Sequence, residues 1–347
     1  MNTPILDFVR NFGEQKNVRL HMPGHKGVNF LGVEALDITE IPGADSLYEA
    51  DGIIAESEGY ASELFGCPTF YSTEGSSLCI RAMLHLACLK AKQEGKRPII
   101  AAGRNAHKVF LTAAALLDFE IRWIYGNDSY LSCNLSPERL EETLQDGTIT
   151  AVYLTSPDYL GNTLDVSALS KVCKRHGALL LVDNAHGAYL KFLNPSQHPM
   201  DLGADLCCDS AHKTLPVLTG GAYLHIAKTY KALINQAKSA LALFGSTSPS
   251  YLILQSLDGA NAECERAFPQ KLKDLIPHVS GLKQRLSAYG FDLVGDEPIK
   301  LTVAPKSFGY TGTEIANCLG KDGIVCEFAD PDFVVFMISP QIGRAHV

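Results

Sequence analysis

Lys213 stands in the stretch "LGADLCCDSAHKTLPVLTGGAYLHI" (202–226), where an apolar run breaks into Asp-Ser-Ala-His-Lys-Thr and resumes through a Gly-Gly pair. A lysine in such a place is most often a snorkelling surface residue, with its stem on apolar surface and its ammonium in water. Its company argues for more: Ser210 and His212 precede it, Thr214 follows, and strand-like runs flank it on both sides. Burial disfavours the charged form, lowers the amine's pKa and leaves a nucleophile able to form a Schiff base. Such a lysine would anchor a carbonyl cofactor. Asp183 closes "ALLLVD" and is followed by "NAHGAYL"; alone it would cap a helix or form a turn. Beside a Schiff-base lysine, a carboxylate there can hold a pyridine nitrogen protonated and keep the ring an electron sink. His107, in "AAGRNAHKVF", also follows a strand-like run, where a planar side chain can stack on a planar cofactor, although a lone histidine is more often structural. His186 and His212 are further candidates.

A phosphate needs its own cradle. "YSTEGSSLCIRAMLHLACLKAK" places Gly75, Ser76 and Ser77 directly before a long apolar helix, whose free N–H groups and positive dipole end suit an anion. A plain serine cap is the alternative reading of the same residues. No Gly-Lys-Ser/Thr follows and no GxGxxG occurs, so nucleotide-triphosphate and dinucleotide chemistry have little support.

The elements that must position these residues are short apolar runs. "RPIIAAG" (97–103), "TITAVYLTSP" (148–157), "ALLLVDNA" (178–185), "ADLCCDS" (204–210) and "GGAYLHI" (220–226) read as buried strands. "DVSALSKVCKRHG" puts Leu169, Val172 and Cys173 on one helical face and ends at a cap-like Gly177. Strands apolar on both faces and joined by amphipathic helices imply an α/β fold with a mostly parallel sheet flanked by helices. Ligands of such sheets gather beyond the carboxyl ends of the strands, where Lys213, Asp183 and His107 lie. Residues 227–279 read as helical, with one helix opening behind the Ser/Thr/Pro turn of "GSTSPSYLILQSLDGANAE". Residues 280–340 suggest helix, strand, helix and two short strands, the start of a smaller and truncated α+β C-terminal domain that ends on a strand. The last residues, 341–347, read as a candidate non-native tail.

At 347 residues, 46% hydrophobic and with mean hydropathy near zero, the chain suits one large domain plus a smaller one. Its N-terminus lacks the basic, apolar and small-residue layout of a secretory signal, and no apolar run is long enough for a membrane span. A cytoplasmic location is expected. The net charge of −8 argues against nucleic acid as a partner. The ten cysteines include no Cys-x-x-Cys pair and read mostly as small core residues in a reducing compartment, with no metal site.

Taken together, Gly-Ser-Ser, "RNAHK", "SPDYLGN", "VDNAHGA" and "DSAHKTLP", in that order, resemble the major domain of the Orn/Lys/Arg decarboxylases, which are pyridoxal-phosphate enzymes of the aspartate-aminotransferase fold type. "RLHMPGHKG" and "DITEIPGADSLYEADGIIAESE" resemble the same family's leading segment. The resemblance implies a seven-stranded-type sheet and a layout of leading segment (1–45), cofactor-binding major domain (46–279) and small C-terminal domain (280–340), as in short forms without a wing domain. It implies pyridoxal 5'-phosphate held as a Schiff base by Lys213, with Asp183 at the pyridine nitrogen, His107 on one ring face, Ala185 on the other and His186 near the phenolic oxygen. Gly75, Ser76, Ser77, Ser210 and His212 would hold the phosphate, and Ser246 and Thr247 would reach the phosphate of a neighbouring subunit, so that a homodimer is expected. The expected reaction is decarboxylation of lysine, arginine or ornithine; transamination, another lyase reaction on the same scaffold and non-catalytic cofactor binding are the alternatives. One departure stands out: the acidic residue common after the catalytic aspartate is Asn184 here.

Overall fold

The computed structural model describes residues 1–15, 17–126 and 130–341. The suspected tail lies, from residue 342 on, outside them. A seven-stranded sheet is built from β1 (Thr69–Ser72), β2 (Ile99–Gly103), β3 (Glu120–Ile124), β4 (Ala151–Thr155), β5 (Leu179–Asp183), β6 (Leu206–Asp209) and β7 (Ala222–Ile226), in the order β1-β7-β6-β5-β4-β2-β3. Only β7 runs against its neighbours. All five apolar runs are therefore strands, and the structure adds two that their composition hides: the short β1 and the half-buried edge strand β3, "EIRWI".

Alternation along each strand divides the two faces of this sheet. Leu179 and Leu181 of β5, Leu206 and Cys208 of β6, and Leu224 and Ile226 of β7 pack under α3 (Gly75–Gln93), α4 (Lys108–Leu117) and α8 (Lys231–Ala242). Leu180, Val182 and Cys207 face the other way, onto α5 (Pro137–Leu144) and α6 (Val166–His176). The predicted face of α6 is the buried one, and Gly177 ends that helix in the left-handed conformation. A third apolar cluster joins α1 (Pro4–Glu14), α2 (Ile53–Phe65) and α9 (Tyr251–Arg266) to Tyr71 and Tyr223. Eight of the ten cysteines are buried; Cys318 is exposed and Cys326 half-buried. No described helix is long and apolar enough to cross a membrane.

Between β6 and β7 the chain makes one helical turn, α7 (Ala211–Thr214), which carries Lys213. Past α9, the helix α10 (Phe268–Ala288) leads to a second, antiparallel sheet of β8 (Asp292–Val294), β9 (Lys300–Ala304), β10 (Phe328–Ala329) and β11 (Val334–Met337), in the order β10-β11-β9-β8, with α11 (Gly312–Lys321) between β9 and β10. The sequence suggests one strand between the two helices where the structure has two. Leu282 and Leu286 of α10 and Ile315 of α11 pack with Leu301, Val303 and Val334 of this sheet. An apolar groove of about 760 Å³ remains between the helices.

Candidate active site

The parallel strands all deliver their carboxyl ends to one edge, so the residues that follow them converge. Thr155 ends β4 in register with Asp183 at the end of β5, which is in turn level with Cys208 of β6. A cavity of about 550 Å³ opens on this edge, and Gly75, Ser76, Ser77, His107, Asp183, Ala185, His186, Ser210, His212 and Lys213 all line it. The exceptions among the expected contacts are Ser246 and Thr247. Both are exposed outside the cavity, with the Ser246 N–H donating to Glu74 Oε1 at 2.6 Å.

Each side chain is held by its element. Gly75 begins α3 with φ +70°, and its N–H donates to Gly220 O at 2.7 Å, tying the helix start to the turn before β7. The plain-cap reading of the serines is corrected: Glu74 occupies the cap position without a side-chain bond, and Ser76 and Ser77 lie within the first turn. Ser210 Oγ donates to Ser76 Oγ at 2.7 Å, so a hydroxyl just past the end of β6 and one from α3 meet beside the free N–H groups of that turn. Asp183, 2% exposed, accepts from Tyr153 OH at 2.8 Å and from the Ala185 N–H at 3.2 Å. His107 caps α4, its Nδ1 accepting from the Val109 N–H at 3.3 Å. Its structural and cavity-facing readings hold together. Burial draws its pKa down, against the attraction of Asp183.

Lys213 Nζ lies 2.8 Å from His186 Nε2. Burial pushes this amine down from its ordinary range, opposed by Asp183 and Glu327 and assisted by Lys300. His186, 5% exposed, is driven well below its usual range by burial and by the two lysines. The surface reading of Lys213 gives way to a half-buried one: α7 turns the side chain into the cavity, where its Nζ meets His186.

Behind the cavity lies a buried polar cluster that the sequence reading missed. Asp209 accepts from Asn184 Nδ2 at 2.7 Å, His198 Nε2 at 3.1 Å and His225 Nε2 at 3.2 Å, and all three ring and carboxylate groups are inaccessible to solvent. This accounts for Asn184: a carboxylate at that position would face the Asp209 carboxylate, whereas the amide donates to it. His198, Cys207 and Asp209 have metal-compatible spacing, yet each already serves as hydrogen-bond partner within the cluster. Other residues missed at the cavity wall are Arg104, Tyr130, Thr155 and Tyr159. Thr155 follows the "AVYL" run, so the strand-end rule could have found it. Its buried hydroxyl has no hydrogen-bond partner among the described residues.

The family model described as Orn/Lys/Arg decarboxylase, major domain, matches residues 3–295. The chain is 28% identical to the uncharacterized protein YaaO of Bacillus subtilis, with all of it aligned to 76% of that protein. It is 26% identical to an arginine decarboxylase of the same organism, over 97% of this chain and 74% of that one. Among solved structures, the Francisella novicida lysine decarboxylase LdcF superposes with a TM-score of 0.79 at 17% identity, covering 98% of this chain. The chain spans 58% of that protein's length, and at such identity the likeness speaks to fold alone. With the family model matched over most of its length, this chain belongs to the Orn/Lys/Arg decarboxylase family.

Proposed function

We propose that this protein catalyses pyridoxal-phosphate-dependent decarboxylation of a basic amino acid, lysine, arginine or ornithine, to the amine and carbon dioxide. The observation that carries the reading is the convergence of a desolvated lysine, a buried aspartate and a hydroxyl-lined helix start on one cavity of about 550 Å³. The donor set fits the cofactor. Ser76, Ser77 and Ser210, with the first N–H groups of α3, are donors for a phosphate, and Asp183 is an acceptor for a ring N–H. Ala185 and Ile80 add apolar wall, and Thr155 adds a buried hydroxyl without a partner. When bound, the cofactor supplies an electron sink for the bond that loses carbon dioxide.

The chain's own residues do the rest. Lys213 Nζ would hold the cofactor's aldehyde carbon covalently, and Tyr153 OH and the Ala185 N–H keep Asp183 fixed as the pyridine partner. His107 and Ala185 would bound the ring on its two faces, with His186 near its phenolic oxygen. The Lys213 amine, when not bonded to the cofactor, would be a base and an acid within the same cavity. Tyr159 stacks edge-on against His186 at 5.0 Å and donates to Glu327 Oε1 at 3.3 Å. Tyr130 at the wall donates to Asp330, with Asp332 Oδ2 3.1 Å away. Glu327 and Asp330, on either side of β10, are thereby tied to the cavity wall and suit a substrate with a distal cation, whereas Asp332 is paired with Lys306.

The test is a panel in which the purified protein, supplied with pyridoxal phosphate, is given each basic amino acid in turn while carbon dioxide and amine are measured. Amine with none of the three would sink the reading, and keto acid in its place would mark transamination.

Homodimerisation is part of the same proposal and is supported by a run of apolar side chains on the surface. Val18, Leu20, Phe30 and Leu31 are 84%, 88%, 86% and 75% exposed, more apolar surface than one short segment normally leaves in water. Phe30→Asp is expected to weaken self-association by about 10- to 100-fold and to leave the melting temperature of the separated chains unchanged. Sedimentation velocity across a dilution series reads it; a profile equal to wild type would count against this surface.

A further inference from the structure

Two lysines share one histidine. His186 Nε2 faces Lys213 Nζ at 2.8 Å, and His186 Nδ1 faces Lys300 Nζ at 2.9 Å. Lys300 opens β9 of the second sheet, is 2% exposed, and reaches back into the large domain. We infer that Lys300 acts through His186 as a positioning residue that keeps Lys213 a neutral amine directed into the cavity. The inference rests on the reading of Lys213 as the nucleophile and deepens it.

Counting hydrogens decides the direction of the chain. Lys300 Nζ has three neighbours: the Glu297 carboxylate at 3.0 Å, the Asp158 carbonyl at 3.0 Å and His186 Nδ1. Burial raises the Glu297 carboxyl, but Lys300, Tyr189 and Lys283 around it all oppose that, so the pair is assigned as carboxylate and ammonium, and neither charge could be left unpaired cheaply at 1% exposure. An ammonium only donates, so Nδ1 must accept. A neutral imidazole has one acceptor and one donor, so its hydrogen sits on Nε2 and is donated to Lys213 Nζ. Lys213 can accept it only as a free amine. No carboxylate of the described residues forms an ion pair with Lys213, so the reverse arrangement would leave the cation unpaired and the carboxylate uncompensated.

The surroundings hold this arrangement in place. The "SPDYLGN" turn wraps the Lys300 stem: Gly161 has φ +88°, and a Cβ there would meet Lys300 Cδ at 3.1 Å. The Asp296 and Glu297 N–H groups donate to Gly161 O at 2.9 Å, and Thr302 Oγ1 donates to Leu160 O at 2.8 Å. His186 is also faced by His107, His212 and Tyr159, and Lys213 by Asp183, Glu327 and Cys208. Glu297 is faced by Lys283, whose Nζ donates to its carbonyl at 2.6 Å, and by Tyr189. Burial and Lys300 both push Lys213 toward neutrality, against Asp183 and Glu327.

The experiment measures the pH profile of Lys213 acetylation by trace acetic anhydride, read by mass spectrometry on the full chain freed of cofactor. Because Lys300→Met alone strands Glu297, the Lys300→Met/Glu297→Gln double variant removes both charges together. Its midpoint is expected to rise by at least about one pH unit, a tenfold loss of labelling near neutral pH, and Lys300→Arg is expected to restore the wild-type profile. A double variant that keeps the wild-type melting curve and the wild-type profile overturns the inference. So does a Lys300→Arg protein that labels like the double variant. No cofactor or substrate enters the measurement, so failure of the decarboxylase reading would leave this result standing.

Discussion

Replacing Lys213 with alanine is expected to lower kcat for amine formation by at least ~10³-fold without lowering the melting temperature. The side chain's one hydrogen-bond partner among the described residues is His186, while the turn that carries it is set by the backbone, with the Lys213 N–H donating to Ser210 O at 3.0 Å. Removing the amine strands no buried charge, and the His186 Nε2–H that loses its acceptor lines the cavity, so stability stays nearly level. Lys213→Arg sharpens the result: a guanidinium restores a long side chain with donors but is permanently charged and cannot deprotonate to become a nucleophile, so arginine is expected to fail as alanine does. The readouts are amine production, thermal unfolding, and the mass added to the chain after borohydride treatment in the presence of cofactor. A Lys213→Ala protein that still gains that mass, or still turns over, would show that another group anchors the chemistry.

That Lys213 could be singled out from sequence has a simple physical cause. Strands buried on both faces must be apolar throughout, so the polar residues at their carboxyl ends are conspicuous, and the parallel arrangement brings those ends together without detailed knowledge of packing. Asp183, His107 and the Gly75–Ser77 turn were legible in the same way, and the cavity contains them all. The strands that escaped notice are those the rule does not describe: β3 carries Glu120 and Arg122 along a half-exposed edge, and β1 is four residues long.

Long-range burial of charge was not legible. Lys300, in "EPIKLTVA", reads as a solvated residue opening a strand, and nothing nearby in sequence announces that its partner His186 lies 114 residues earlier. Its burial arises only when the second sheet closes against the "SPDYLGN" turn. His225 was hidden for the same reason, since a histidine in an apolar run is indistinguishable from any polar strand residue until its carboxylate arrives from another strand, and His198, in the loop "NPSQHPMD", reads as an ordinary loop residue. The identity of Asn184 becomes interpretable only with Asp209 beside it.

The second large effect is expected at that carboxylate. Thr69 Oγ1 donates to Cys67 O and therefore accepts from His225 Nδ1 at 2.9 Å, while His225 Nε2 faces Asp209, so both ring nitrogens donate and His225 is an imidazolium. His198 Nδ1 accepts from the Met200 N–H at 3.3 Å, and its Nε2 donates to Asp209. Burial opposes both charges, but Asp209 holds His225 above its usual range, and the two histidines hold Asp209 well below the usual carboxylate range. Asp209→Ala leaves Asn184, His198 and His225 without their acceptor in a solvent-free interior. It is expected to cost about 3–5 kcal/mol, a fall in melting temperature of roughly 4–7 °C for a chain of this size. The pair's contribution has a defined window. The aspartate part is present above the unfolded carboxylate value of 3.8 and is lost as pH falls through its depressed native value. The histidine part is complete below the unfolded value of 6.5 and is lost as pH rises through its elevated native value. The difference between wild type and Asp209→Ala should therefore be greatest between about pH 4 and 6.5 and shrink on the alkaline side. Thermal melts from pH 4 to 9 measure it, and a variant that melts within a degree of wild type across that range would show that the cluster is not the ion pair its hydrogen bonds describe.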